Sequence, residues 1–441
     1  MSLLFTLPLS LPLVRRFCCR VKQPLPGQLN PALTWMLVGI AAVVIVVKLI
    51  TLLWLDALLP KPGLITPPAT KIASPYLLPH PKPPSRAPAA STTTERYRWQ
   101  ALPKIAPEPL DNRNTVAKIN LGRQLFFDKR LSIDGTVACG SCHQLTGSAY
   151  GADRQTVSTG IDEQRGSRNA PTVLNAAFQR RLFWDGRAES LEQQALGPLT
   201  NPLEMGMPSL EAVVNRVRDT PEYAAQFRTA FPQQPQISSD NIAKAIASYE
   251  RTLITPNTAY DRFVGGEESA LTPQQLRGMA LFESIGCVLC HSGPNFSSAS
   301  LFDNDNGLRL FPANPDTEYQ SKYRLIEDRG AVADDEDAKV GVWRVPSLRN
   351  VSKTAPYFHN GSVDTLDEAV RVMASTQLKR SISNDPASQQ SIHWSKAQLR
   401  FANLNNVAIS DSQVRDIVAF LESLTGPLPE QNPLGFSAQS R

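Results

Sequence analysis

The sequence predicts a mainly α protein, built as two helical domains behind a single membrane-spanning helix. Three observations lead there. Residues 33–55, "LTWMLVGIAAVVIVVKLITLLWL", form one long apolar run. After residue 110 several segments carry helical periodicity, and no alternating strand pattern competes with them. One unit, Gly-x-x-Leu-Phe followed by Cys-x-x-Cys-His, occurs twice with different spacing, at 122–143 and 278–291.

The apolar run comes first in the chain. Twenty-three helical residues span roughly 34 Å, enough to cross a bilayer. Arg15, Arg16, Arg20 and Lys22 precede it, which favours a cytoplasmic N-terminus, and no small-residue cleavage site follows, so the run reads as a retained anchor. The net charge is +5, and residues 1–60 supply +4 of it, so the basic pI reports topology and not a nucleic-acid partner. The expected order is a cytoplasmic segment over 1–30, the anchor over 31–59 and a proline-rich spacer over 60–109. Two helical domains follow, over 110–262 and 263–428, then a tail over 429–441. The catalytic part is expected in the periplasm, tethered to the inner membrane.

Five segments read as helices. "NRNTVAKINLGRQLFFD" places Val116, Ile119, Leu121, Leu125 and Phe126 at helical spacing. "SSDNIAKAIASYERTL" puts Ile242, Ala245, Ile246, Tyr249 and Leu253 on one face, with Asp240 as cap. "LTPQQLRGMALF" opens with Thr272 as cap and Pro273 at the first helical position. "DTLDEAVRVM" aligns Leu366, Ala369, Val370 and Met373; "SDSQVRDIVAFLESLTG" aligns Val414, Ile417, Val418 and Leu421 and ends at Gly426. Long loops separate these helices, so a bound group must supply part of the core.

The six cysteines name that group. Cys18 and Cys19 precede the apolar run, and the other four form Cys139-x-x-Cys142-His143 and Cys287-x-x-Cys290-His291. Two thioethers fix a haem to such cysteines, and the adjacent histidine donates a nitrogen to iron. A redox dithiol does not need that histidine, and a four-cysteine zinc site would leave both histidines unexplained. Two covalently bound c-type haems are expected.

The segments "LGRQLFFDKRLSIDGTVACGSCH", "RNAPTVLNAAFQRRLFWDGRAESLEQQALGPLTNPLEM" and "VPSLRNVSKTAPYFHNGSVDTLDEAVRVM" resemble the bacterial di-haem cytochrome c peroxidases and their MauG-like relatives. The resemblance runs over residues 113–425, about 70% of the chain. It implies two cytochrome c-like haem domains, the first peroxidatic and the second an electron relay of higher potential. It implies hydrogen peroxide as substrate and a small c-type cytochrome or cupredoxin as electron donor, and it is compatible with a homodimer. Glu204 matches the family's catalytic carboxylate, Gln194 its polar neighbour, and Trp184 the aromatic residue between the haems. Met373 matches the sixth ligand of the second haem, where MauG itself has a tyrosine. Asn169, Thr354 and Pro356 match ligands of a calcium ion at the domain boundary, the last two through backbone carbonyls. His359 is expected near a haem propionate or the calcium loop.

Two departures stand out. Many relatives carry a histidine in the loop before "RNAPT" that blocks the first haem; here Ile161 holds that position, and an open sixth site is expected. Residues 302–340 are longer, polar and acidic, and read as a solvated loop or a docking element for the donor. Two rivals to peroxide reduction remain: a MauG-like oxidase acting on a protein, and a non-catalytic di-haem carrier.

Overall fold

The computed structural model describes residues 97–315, 317–333, 340–384 and 408–429. All of them belong to one compact unit spanning Ala73–Arg441. The expected anchor and most of the spacer lie outside the described residues, and no helix among the described residues is long and apolar enough to cross a membrane.

The described chain is mainly helical. The first half contains α1 (Val116–Phe126), the short α2 (Cys139–Cys142), α3 (Leu191–Thr200), α4 (Leu210–Arg218), α5 (Pro221–Ala230) and α6 (Ser239–Glu250). The second contains α7 (Ala259–Val264), α8 (Pro273–Ser284), α9 (Glu318–Lys322), α10 (Leu366–Val372) and α11 (Asp411–Glu422). Two four-residue strands, β1 (Leu308–Phe311) and β2 (Gly341–Arg344), pair antiparallel. The sequence reading missed this ribbon, because strands so short present no alternation to detect.

The duplicated unit has a packing reason. α1 packs on α6 and α8 on α11, and each pair is the centre of its own apolar core. At the crossing of α1 and α6, a Cβ on Gly122 would overlap the Ala245 carbonyl; at the crossing of α8 and α11, one on Gly278 would overlap the Asp416 carbonyl. The repeated glycine therefore marks the place where two helix backbones touch. The Leu and Phe three and four residues later turn into the core beneath: Leu125 and Phe126 are fully buried, and Phe282 nearly so.

Helix ends follow their capping chemistry, with two corrections. Ser238 caps α6 through Asn241 N–H at 3.2 Å, while Asp240 pairs with Lys244 at 3.0 Å instead of capping. α11 starts with a Ser410–Gln413 capping box but ends at Glu422, not at Gly426. Gly426 serves a close approach: its N–H donates to Asn350 Oδ1 at 3.0 Å, and a Cβ would press on the Thr255 carbonyl. Thr272 and Pro273 open α8 as the sequence implies.

The end of the expected spacer is not loose. The Tyr97 hydroxyl accepts Gly293 N–H at 2.7 Å, and Trp99 sits edge-on among Tyr97, Tyr260 and Phe420. Leu102 N–H donates to Asp261 at 2.9 Å. Aromatic residues in that stretch bury themselves on the second core, so prolines alone did not decide its character.

Candidate functional site

Each Cys-x-x-Cys-His motif sits on a single short turn, α2 for the first and a 3-10 turn over Cys287–Leu289 for the second. The four cysteines are free thiols with part of their surface accessible. Even so, burial pushes Cys139 and Cys287 up to about 12 and Cys142 up to about 11. Cys139 packs against the first apolar core and Cys287 against the second. A redox dithiol needs a stabilised thiolate, which these surroundings oppose.

Both motif histidines are oriented by a backbone carbonyl. His143 Nδ1 lies 3.3 Å from the Gly151 carbonyl and His291 Nδ1 lies 3.2 Å from the Phe296 carbonyl. A carbonyl only accepts, so Nδ1 carries the proton and Nε2 keeps a lone pair, the orientation that second-shell carbonyls impose on metal-ligating histidines. The carbonyls of Pro171 and Pro346 also act on the two rings. Both prolines lie in segments that carry the family resemblance, yet the sequence reading assigned them nothing. Two sulfurs and an oriented imidazole on one short turn fit a haem at each motif.

The charges around the two motifs differ in sign. After burial, Glu250 and Glu204 push the Cys139 thiol further up, and Asp153 and Glu204 do the same at Cys142. At the second motif Arg380 pulls Cys287 down, and Arg309 pulls Cys290 down against Asp305. Glu250 itself is buried, and burial raises its carboxyl to about 8. None of Glu250, Arg309 and Arg380 was found from the sequence; only contact with the motif cysteines across the fold marks them.

Glu204 stands half-buried near the first motif. Burial raises its pKa, while Arg187 and a hydrogen bond from Asn201 Nδ2 to Oε1 at 2.8 Å oppose that. Its backbone is fixed by Ile161 N–H, which donates to the Glu204 carbonyl at 3.0 Å. Gly160 and Gly206 let the two loops close, since a Cβ on Gly160 would overlap the Leu203 carbonyl and one on Gly206 the Ile161 side chain. Ile161 is thus buried in the first core instead of projecting into open space. Gln194 lies half-buried on α3, in the run that leads to Glu204.

Trp184 bridges the halves. Its indole N–H donates to the Asn169 carbonyl at 2.8 Å, and its own carbonyl accepts Arg344 N–H of β2 at 2.8 Å. Its ring meets His359 edge-on at 6.5 Å, and His359 stacks on Trp343 at 4.0 Å. His359 is buried, and burial lowers its pKa to about 4. Asn169 N–H donates to the His359 carbonyl at 2.7 Å, which joins Asn169 to the loop that carries Thr354 and Pro356. The Asn169 side-chain amide meets the Gln155 and Thr156 carbonyls at 2.8 and 3.4 Å. Met373 follows α10 directly and opens a π turn over Met373–Gln377. Thr376 Oγ1 donates to the Val372 carbonyl at 2.6 Å, which widens the helix there. Met373 itself packs against the core of Phe311, Leu325, Trp343 and Val372, while its neighbour Ala374 packs in the core that holds Cys287.

Comparison with known proteins fits this geometry. A family model described as di-haem cytochrome c peroxidase matches residues 116–269. The cytochrome c551 peroxidase of Nitrosomonas europaea is 35% identical over 75% of this chain and 85% of its own. The chain belongs to the di-haem cytochrome c peroxidase and MauG family. The cytochrome c551 peroxidase of Pseudomonas aeruginosa is 37% identical over 70% of this chain and 79% of its own. MauG of Methylophilus methylotrophus is 32% identical over 74% of this chain and 87% of its own. A crystal structure of a MauG-like protein associated with microbial copper homeostasis superposes with a TM-score of 0.60 at 31% identity, covering 75% of this chain and 96% of that one. Membership makes the chain a di-haem oxidoreductase and implies two haems, in line with the two motifs.

Proposed function

We propose that this chain reduces hydrogen peroxide to water, with electrons from a small c-type cytochrome or cupredoxin that enter at the second haem site. The observation that carries this reading is Glu204: a half-buried carboxyl of raised pKa beside the first motif, on a loop pinned by Ile161. Haems held by Cys139, Cys142 and His143, and by Cys287, Cys290, His291 and Met373, would supply the redox chemistry and the iron that binds peroxide.

The protein's own residues do the rest. Glu204 Oε1 is committed to Asn201, which leaves Oε2 to take the peroxide proton and return it to the departing oxygen. Gln194 offers a polar neighbour on α3. Ile161 is tucked into the core and has no ligating atom, which supports a first site that stays accessible to peroxide. Positive charge from Arg309 and Arg380 favours the reduced form at the second site, and negative charge from Glu204 and Asp153 disfavours it at the first, while Glu250, raised to about 8, is protonated at neutral pH and adds none. That difference would let the second site take and store the donor's electron, and peroxide, as the two-electron oxidant at the first site, would draw it across, with Trp184 between the halves. Asn169, Thr354 and Pro356 would hold calcium, and the backbone link from Asn169 to the His359 loop supports this. The apolar run over 33–55 would anchor the enzyme in the inner membrane with these domains in the periplasm.

The second reading is a MauG-like oxidation of a protein substrate, favoured by the likeness to MauG. Met373 speaks against it. Stopped-flow mixing of peroxide with the ferric and half-reduced protein, with reduced cytochrome c or cupredoxin as donor, separates the readings. Rapid donor oxidation matched to peroxide consumed, together with a high-spin ferric signal, is expected. A protein with only low-spin signals and no turnover would be a carrier.

A further inference from the structure

We propose that Asp328, in the stretch between β1 and β2, is a positioning residue for Trp184; the inference rests on the relay reading of Trp184 above. Arg168 is the intermediary. Its Nε and Nη2 meet the two Asp328 oxygens at 2.6 and 2.9 Å, and its Nη1 meets Asp185 Oδ2 at 2.6 Å. Asp185 follows Trp184 in sequence, and Asn169, whose carbonyl takes the Trp184 indole proton, follows Arg168. The pair Arg168–Asn169 therefore grips the pair Trp184–Asp185 at two points.

The grip has something to hold. Phe183 has φ 63°, and Gly186 has φ 72°, so the indole sits on a turn that a bulky residue enters only under strain. Such a conformation persists only where its surroundings over-determine it. The same guanidinium lies 5.0 Å over Trp343, which stacks on His359, which in turn meets the Trp184 ring. Arg168 thus touches the relay from two sides.

Asp328 decides which edge of the guanidinium does this. By occupying the Nε/Nη2 edge in a fork, it leaves Nη1 for Asp185. Asp328 is itself fixed by Gly330 N–H at 2.8 Å. Without its carboxylate the Arg168 fork is free to turn its better edge onto Asp185, which Arg187 also holds at 2.7 Å, or toward solvent, and the indole is left with the Asn169 carbonyl as its main anchor. The polar stretch before β2 then has a use other than solvation or donor docking: it supplies the clamp.

The test uses the full-length di-haem protein with Asp328→Asn, Asp328→Glu and Trp184→Phe. Internal electron transfer from the second to the first haem is followed optically after rapid reduction. Solvent exchange of the Trp184 indole proton is read by NMR on 15N-tryptophan-labelled, reduced, carbon monoxide-bound protein, and its signal is assigned by its loss in Trp184→Phe. Asp328→Asn should slow internal transfer about tenfold or more, in line with what small misplacements cost. It should also speed indole exchange about tenfold with KM for peroxide unchanged, and Asp328→Glu should restore most of both. If Trp184→Phe slows transfer and Asp328→Asn does not, the clamp is wrong and the relay stands. If neither variant slows it, the relay reading falls and takes the clamp with it. If Asp328→Glu is as slow as Asp328→Asn and both melt early, Asp328 is only structural.

Discussion

Replacing Glu204 by Gln separates proton chemistry from packing. Gln keeps the oxygen that Asn201 Nδ2 donates to, and it matches the volume of a half-buried side chain, so the loop held by Ile161 should stay in place. Only the exchangeable carboxyl is lost. General acid–base catalysis contributes about 10²–10⁴-fold, or about 3–5 kcal/mol at 1.36 kcal/mol per tenfold. Peroxide turnover should fall by that factor, with the thermal midpoint and haem content unchanged. The pH profile adds a check on sign. Burial raises the Glu204 pKa and Arg187 opposes the rise, so the acidic limb of kcat/KM should lie above the ordinary glutamate range. Arg187→Ala removes a stabilising cation, raises the Glu204 pKa further and should move that limb to higher pH, while Arg187→Lys should move it less. Arg187 is 52% exposed, so added salt should shrink the difference. A Glu204→Gln protein that turns over within threefold of the parent, or a limb that moves to lower pH in Arg187→Ala, would refute the assignment.

Other consequences can be checked separately. Arg349 has no exposed side-chain surface and meets both Asp261 oxygens at 2.8 Å, so Arg349→Met strands a buried carboxylate and should cost about 3–5 kcal/mol in urea unfolding. Although burial pushes the Asp261 pKa up, Arg349 holds it below the usual range. The pair's contribution is therefore fully present above the unfolded value of about 3.9, and the gap between parent and variant should close as pH falls through the lower folded value; a gap that widens in acid would contradict the pairing. Cys287→Ala combined with Cys290→Ala should leave a denatured, acid-extracted chain holding about half the parent's porphyrin, because each motif is expected to bind one haem; unchanged porphyrin would mean that the second motif carries none.

What the sequence disclosed depended on how local each constraint was. Haem attachment needs two sulfurs and an imidazole within one turn, so both motifs could be read directly. The repeated Gly-x-x-Leu-Phe was also visible, but its meaning was not. Gly122 and Gly278 are fixed by carbonyls of Ala245 and Asp416, more than a hundred residues away. Glu204 stood in the same position: unaided, a glutamate after Pro-Leu reads as a helix N-terminal charge, and only the resemblance singled it out. What brings it to the first motif is closure of two loops over Gly160 and Gly206. The charges that distinguish the two motifs were invisible for the same reason. Arg309 sits in a short strand and Arg380 beyond the π turn, and no spacing rule ties either to Cys290 or Cys287. Two copies of one attachment unit, each with a glycine crossing, a motif histidine and a proline carbonyl, would by themselves hold two similar haems. Under the proposed function, the differences come from what surrounds the copies: an acid loop near the first, and Arg309, Arg380 and Met373 in the second half. On that reading, the chemistry lies in how the two halves differ around one repeated attachment unit.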